Sequence, residues 1–158
     1  MMATDAIVTA LQQAVAEIAS TALAVEVTAG SYEPQRSQLT SDYTAVISYS
    51  GALDGSFCLS GSLAAVALLA SALLAEESPR DAMDAEMQDA FSELCNMMAG
   101  GVQSRLEATL GTIHMSTPVL IAGPNHQIFG DPSSSCLNHQ FTIAGQLFFV
   151  EIFYKADS

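Results

Sequence analysis

Positive charge is what this chain has least of: 4 lysines and arginines stand against 17 acids, for a formal net charge of -13. Without a basic patch there is nothing to neutralise a phosphate backbone, so nucleic-acid binding is excluded, and the same deficit argues against anionic membranes. Cysteine is scarce as well. Cys58, Cys95 and Cys136 are an odd number scattered through apolar segments, which suits free buried thiols in a reducing cytoplasm better than a disulfide framework. Cys136 and His139 have metal-ligand spacing, but one pair is half a site, and His114 and His126 add no pattern, so no metal is expected. The longest oily run, Leu63 to Ala75 interrupted by Ser71, falls short of the roughly 20 residues a membrane helix needs, and the N-terminus shows no secretory signal. Self-contained hydrolytic signatures are missing too: no GxSxG elbow, no GxxxxGK[ST] loop, no HExxH.

What is present is a chain of 158 residues, half of them hydrophobic, enough for one domain with a core of its own over residues 1–158. Thr4 to Leu23 carries Ile7, Leu11, Val15 and Ile18 at helical spacing with Thr4 or Asp5 as cap. Ala24 to Ala29 reads as a short strand and Gly30 to Asp42 as a loop. Tyr43 to Ser50 alternates like a half-buried strand, Gly51 to Gly55 turns it back, and Ser56 to Ser60 is its antiparallel partner. A helix is predicted from Ser62 to about Glu77, with Ser78 capping the next one and Pro79 in its first turn. That next helix is long and stops at Gly111. His114 to Ile121, Leu137 to Ala144 and Gln146 to Lys155 read as strands, with a loop from Gly123 to Ser135. The last strand is oily on both faces and should be central, covered twice, or part of an interface. The order of elements predicts an α+β domain, an antiparallel sheet packed against long helices.

The long helix holds the chemistry. Asp89, Glu93, Asn96, Gly100 and Ser104 fall in one narrow stripe, while Met87, Phe91, Leu94, Cys95, Met98 and Val102 fall on the opposite side. One face is core; the other displays a carboxylate, a carboxamide and a glycine. Glycine inside a helix costs about 1 kcal/mol relative to alanine, which suggests that close approach by a visitor is wanted at Gly100. Gly101 is read as a helix-packing glycine, and Met97 as packing before docking.

An acid, then Glu93, then Asn96, then a downstream proline at Pro118, one place earlier than the usual spacing, resembles the motif of the CheC, CheX and FliY chemotaxis phosphatase family. Met98-Ala99-Gly100-Gly101 and Ser116-Thr117-Pro118-Val119 extend the resemblance. It implies the CheC/CheX-like fold and dephosphorylation of a phosphorylated CheY-like response regulator. In that scheme the receiver supplies Mg2+ and a lysine, and this chain binds no cofactor. Asn96 would orient the attacking water without titrating, and Glu93 would anchor the receiver's lysine, with Asp89 a helper or a bystander. CheC-like members carry a second motif on the first helix; here Glu17-Ile18-Ala19-Ser20 keeps the glutamate but has serine for asparagine, so one site per chain is expected. The resemblance also implies a cytoplasmic homodimer paired through its sheets. Receiver active sites are themselves acidic, so added salt is expected to help docking. A non-catalytic module binding a receiver or a flagellar switch component is the rival reading; a small-molecule binding domain is a weaker third.

Overall fold

The computed structural model describes residues 2–78, 80 and 83–156. Three helices lie on one face of a seven-stranded antiparallel sheet. Helix α1, Met2–Ile18, runs into a π-helical turn, Ala19–Leu23, and strands β1 (Val27–Glu33), β2 (Ser41–Gly51) and β3 (Leu53–Gly61) follow. Helices α2 (Leu63–Leu73) and α3 (Ala85–Leu110) come next, then β4 (Ile113–Met115), β5 (Val119–His126), β6 (Ser135–Ile143) and β7 (Gln146–Ala156). The sheet order is β1-β6-β7-β3-β2-β4, with β5 also paired to β2.

Strand β7 is central, as its two oily faces predicted. Phe148, Val150, Ile152 and Tyr154 enter the core beneath the helices. Phe149, Glu151 and Phe153 point the other way and are also buried. That outer face is crossed by two loop segments. The Ser37 amide donates to Glu151 Oε2 at 2.8 Å, the Gln127 amide side chain to the Gln38 carbonyl at 2.9 Å, and Arg36 lies over the Phe129 ring.

Several boundaries differ from the sequence reading, each for a local reason. Thr4 sits inside α1 and does not cap it; its hydroxyl bonds the Tyr154 hydroxyl. The first strand starts at Val27 and extends through the segment read as loop, because Ala24 adopts a left-handed conformation (φ 53°) that closes the helix first. Helix α2 ends at Leu73, before Glu77. There Ala75 (φ 57°) is left-handed, Glu76 N bonds Ser71 O, and Ala75 N bonds Ala72 O, a Schellman stop. The cap of α3 is Asp84, whose carboxylate accepts from Met87 N at 2.9 Å, in place of Ser78; Pro79 lies outside the described residues. The β2–β3 connection is tighter than Gly51 to Gly55, since Tyr49 already pairs Gly55. The stretch His114 to Ile121 is two strands, because Ser116 donates its amide to the Ser48 carbonyl while its hydroxyl oxygen accepts from the Ser48 amide, and Pro118 has no N–H to continue the ladder. Gly123 and Pro124 are part of edge strand β5.

Thr4–Leu23 has the length and mean hydropathy (1.3) of a membrane-crossing helix, but half of it is buried, with Ile7, Leu11, Ala14 and Val15 in the core.

His139 is fully buried and is held by Gln12 of α1. Its Nδ1–H donates to the Gln140 carbonyl (3.0 Å), its Nε2 accepts from the Gln12 amide (2.9 Å), and its ring stacks on Phe141. Burial holds its pKa below the ordinary 6.5, so the fold favours the neutral ring. Its contribution is complete above about pH 6.5 and is lost as pH falls through that value toward the depressed folded one. Glu151 works in the opposite sense. Burial raises its carboxyl, so the stability it contributes is present in acid and lost as pH rises through the raised value. We expect acidification from about pH 7 to pH 5 to lower the urea midpoint of wild type relative to that of His139→Gln. An equal shift in that variant would remove His139 from the account.

Candidate active site

Helix α3 forms because a 3.6-residue apolar period runs nearly its whole length, with Asp84 at its start and Gly111 (φ 110°) at its end. Met87, Phe91, Leu94, Cys95, Met98 and Val102 are all buried, as their spacing predicted. Two bonds fix the helix over β2: the Tyr49 hydroxyl donates to the Ala99 carbonyl at 2.7 Å, and Cys95 Sγ donates to the Ala45 carbonyl at 3.4 Å. Burial pushes the Cys95 thiol up to about 12 and raises Cys58 further, so both are inert thiols in apolar surroundings. Cys136 and His139 project from opposite faces of β6 and cannot share an ion. Among the described residues no three His, Cys, Asp or Glu side chains could hold a metal.

Anchoring the apolar side fixes what the other side shows. Asp89 and Glu93 are exposed, and Asn96 and Gly100 are half-buried on the same ridge. Among the described residues, neither Glu93 nor Asn96 uses its side chain in a hydrogen bond or ion pair, so the carboxylate and the carboxamide are free to act on a visitor. Ser104 turns its hydroxyl back onto the Gly100 carbonyl at 2.8 Å and presents little.

The two adjacent glycines separate cleanly. A Cβ on Gly100 would meet only the Met115 methyl, at 3.9 Å, so the surface there is open. A Cβ on Gly101 would stand 2.9 Å from Ala14 Cβ, where α1 crosses α3. Met97 is half-buried and packs against the core, which agrees with its packing role. Met115, which walls the notch at Gly100, went unnoticed in the sequence because nothing local ties β4 to this turn of α3.

On α1, the region that would hold a second motif is occupied by its own contacts. Glu17 pairs with Arg105 of α3, and Ser20 donates to the Glu17 carbonyl at 3.0 Å. The other cations are likewise placed away from the ridge: Arg80 with Glu76, Asp84 and Glu86, Lys155 with Asp131, and Arg36 on Phe129. Among the described residues, no cation forms an ion pair or side-chain hydrogen bond with Glu93 or Asn96.

A search of curated proteins returns no significant match. Among solved structures, a CheC-like superfamily protein from Shewanella sp. PV-4 superposes with TM-score 0.85 at 19% identity, covering 96% of this chain and 98% of that one. The chemotaxis protein CheX of Vibrio vulnificus gives 0.84 at 20% identity, covering 94% and 99%. CheX of Borrelia burgdorferi, solved in complex with CheY, BeF3 and Mg2+, gives 0.77 at 21% identity, covering 94% and 97%. These likenesses establish a shared fold. The family model described as chemotaxis phosphatase CheX matches residues 43–142, a span that runs from β2 through the whole of α3 to β6. With most of the chain inside that match, and the acid, glutamate and asparagine displayed on the solvent side of α3, the protein belongs to the CheX chemotaxis phosphatase family.

Proposed function

We propose that this protein hydrolyses the aspartyl phosphate of a CheY-like receiver domain by holding the attacking water on Asn96. The observation that carries the reading is the uncommitted Asn96 carboxamide beside the free Glu93 carboxylate, on an exposed ridge whose acids pair with no cation among the described residues. An acyl phosphate cannot be stabilised by such a surface alone, because the developing charge needs positive groups around it. The substrate must bring its own, and a receiver does so with Mg2+ and a lysine. What remains to be supplied is a water in line with phosphorus. A carboxamide can accept one of its protons and donate to its oxygen. Glu93, three residues away on the same face, would take the receiver's lysine and set the distance. Asp89, one turn earlier, borders the same contact.

This division of labour predicts a sharp substrate preference. Loss of phosphate from an Mg2+-loaded phosphorylated receiver should speed up by about a hundredfold, which requires only about 2.7 kcal/mol. Hydrolysis of free acetyl phosphate should be unaffected. Acceleration of both would refute the borrowed-cation mechanism, and tight receiver binding without turnover would favour the interaction-module reading instead.

The assembly we propose is a cytoplasmic homodimer. Edge strand β5 offers unpaired backbone, with Val119 63% and Ile121 37% exposed on its outer face, an edge that a second copy could cover. Sedimentation equilibrium should give twice the 16.5 kDa chain mass, and Val119→Lys should shift it toward the monomer; a wild-type monomer at high concentration would remove the dimer.

A further inference from the structure

Arg36 is out of place in a chain with 17 acids and 4 bases. Each of the other three cations is in an ion pair, whereas Arg36 pairs with no acid among the described residues. Its guanidinium instead lies over the Phe129 ring, 4.1 Å from the centroid. Stacking fixes the plane of the group and leaves its N–H edge open, which is the way a guanidinium is prepared for an oxyanion.

Arg36, itself exposed, lines an open pocket of about 430 Å3 formed by the chain around it, the loop from Gly130 to Ser135 and the end of β7. Ser134 lines it with a hydroxyl that bonds nothing else described. Phe153 supplies an apolar wall, and Gly130 is pressed so close that a Cβ there would come within 2.2 Å of its ring. The one acid in the wall, Asp131, is already engaged: Lys155 Nζ donates to Oδ2 at 2.9 Å, and the Ser133 amide and hydroxyl donate to Oδ1. The ion pair with Lys155 and the two Ser133 bonds hold its carboxyl down at about 2, so its charge stays compensated. The field of Arg36 also reaches the buried Glu151, without contact.

We propose that this cavity binds the oxyanion of a small organic molecule, its charged head on Arg36 and the Ser134 hydroxyl and its apolar body against Phe153. No lining residue belongs to α3, so the site stands or falls independently of the proposed phosphatase activity.

The test uses the full chain, titrated with phenyl phosphate, benzoate and inorganic phosphate at constant ionic strength, with chloride as control. Backbone amide resonances report the result. Phenyl phosphate or benzoate should give saturable shifts confined to residues 34–36 and 130–136, and the tighter of the two names the head group. Either should bind more tightly than inorganic phosphate, which lacks the apolar body. Arg36→Gln should weaken binding at least tenfold with an unchanged melting temperature, and Arg36→Lys should fall between. Should Arg36→Gln lose its fold, Ser134→Ala gives a second reading, with a smaller loss expected. Shifts that never saturate, that match chloride, or that survive unchanged in these variants would overturn the proposal.

Discussion

Replacing Asn96 by Ala should lower the rate of receiver dephosphorylation by about a hundredfold at saturating receiver while leaving affinity nearly intact. The reasoning is geometric. Asn96 is half-buried and its side chain makes no hydrogen bond among the described residues, so truncating it breaks no side-chain bond of the fold. What is lost is a donor and an acceptor that hold one water, an interaction present only on the way to the transition state, and such losses appear in kcat. About 2.7 kcal/mol corresponds to the expected fall. Glu93→Gln should behave differently, raising KM by about tenfold with a smaller change in kcat, because an anchor to the receiver's lysine contributes to docking. Single-turnover and steady-state measurements on the same pair of variants separate the two. An Asn96→Ala protein that turns over at the wild-type rate would remove the asparagine from the chemistry.

The two glycines next to the motif should respond in opposite ways, although they are neighbours in sequence. At Gly101 a side chain has nowhere to go: Ala14 Cβ is 2.9 Å from where its first carbon would sit, and the obstacle belongs to a packed helix. Gly101→Leu should cost at least about 2 kcal/mol of stability through overpacking at the α1–α3 crossing. At Gly100 the first side-chain carbon meets only the flexible end of Met115, and helix propensity favours leucine by about 0.8 kcal/mol. Gly100→Leu should therefore fold as well as wild type or better, yet lose at least about tenfold in kcat/KM, because the leucine occupies space the partner needs. Urea unfolding and the dephosphorylation assay run on both variants check this. A fully active Gly100→Leu would mean that nothing approaches that notch.

Why the exposed stripe of α3 could be read from sequence while parts of the fold could not comes down to the range of the interactions involved. The stripe of Asp89, Glu93, Asn96 and Gly100 is set by helical geometry alone, and the apolar residues opposite it are numerous enough to fix which side is buried. The central position of β7 was legible for a similar reason: two oily faces need two covers. Strand β1 was not legible past Ala29. Its later residues, through Glu33, are exposed on an edge, so no burial pattern marks them. The stop after α2 rests on a left-handed alanine, a residue with no preference for that conformation, held there by two backbone bonds. At the start of α3, Ser78-Pro79 carried the stronger local signature, and Asp84 took the cap because its carboxylate reaches Met87 N. Splitting β4 from β5 depends on Ser116 meeting Ser48, far away in sequence. The different surroundings of Gly100 and Gly101 are set by β4 and α1, which lie far from them in sequence. Arg36 gave no signal at all, since being unpaired is a property of three dimensions.

The most direct test of the central claim, that the α3 ridge is the surface a phosphorylated receiver meets, is to add a beryllofluoride-activated, Mg2+-loaded receiver to the 15N-labelled protein and follow the side-chain amide of Asn96 together with the backbone amides of Asp89, Glu93 and Gly100. The account predicts that these signals shift together and saturate at one receiver per chain, while β1 and the loops over the outer sheet face stay unchanged. Saturable shifts on those other surfaces, with the Asn96 amide unmoved, would contradict it.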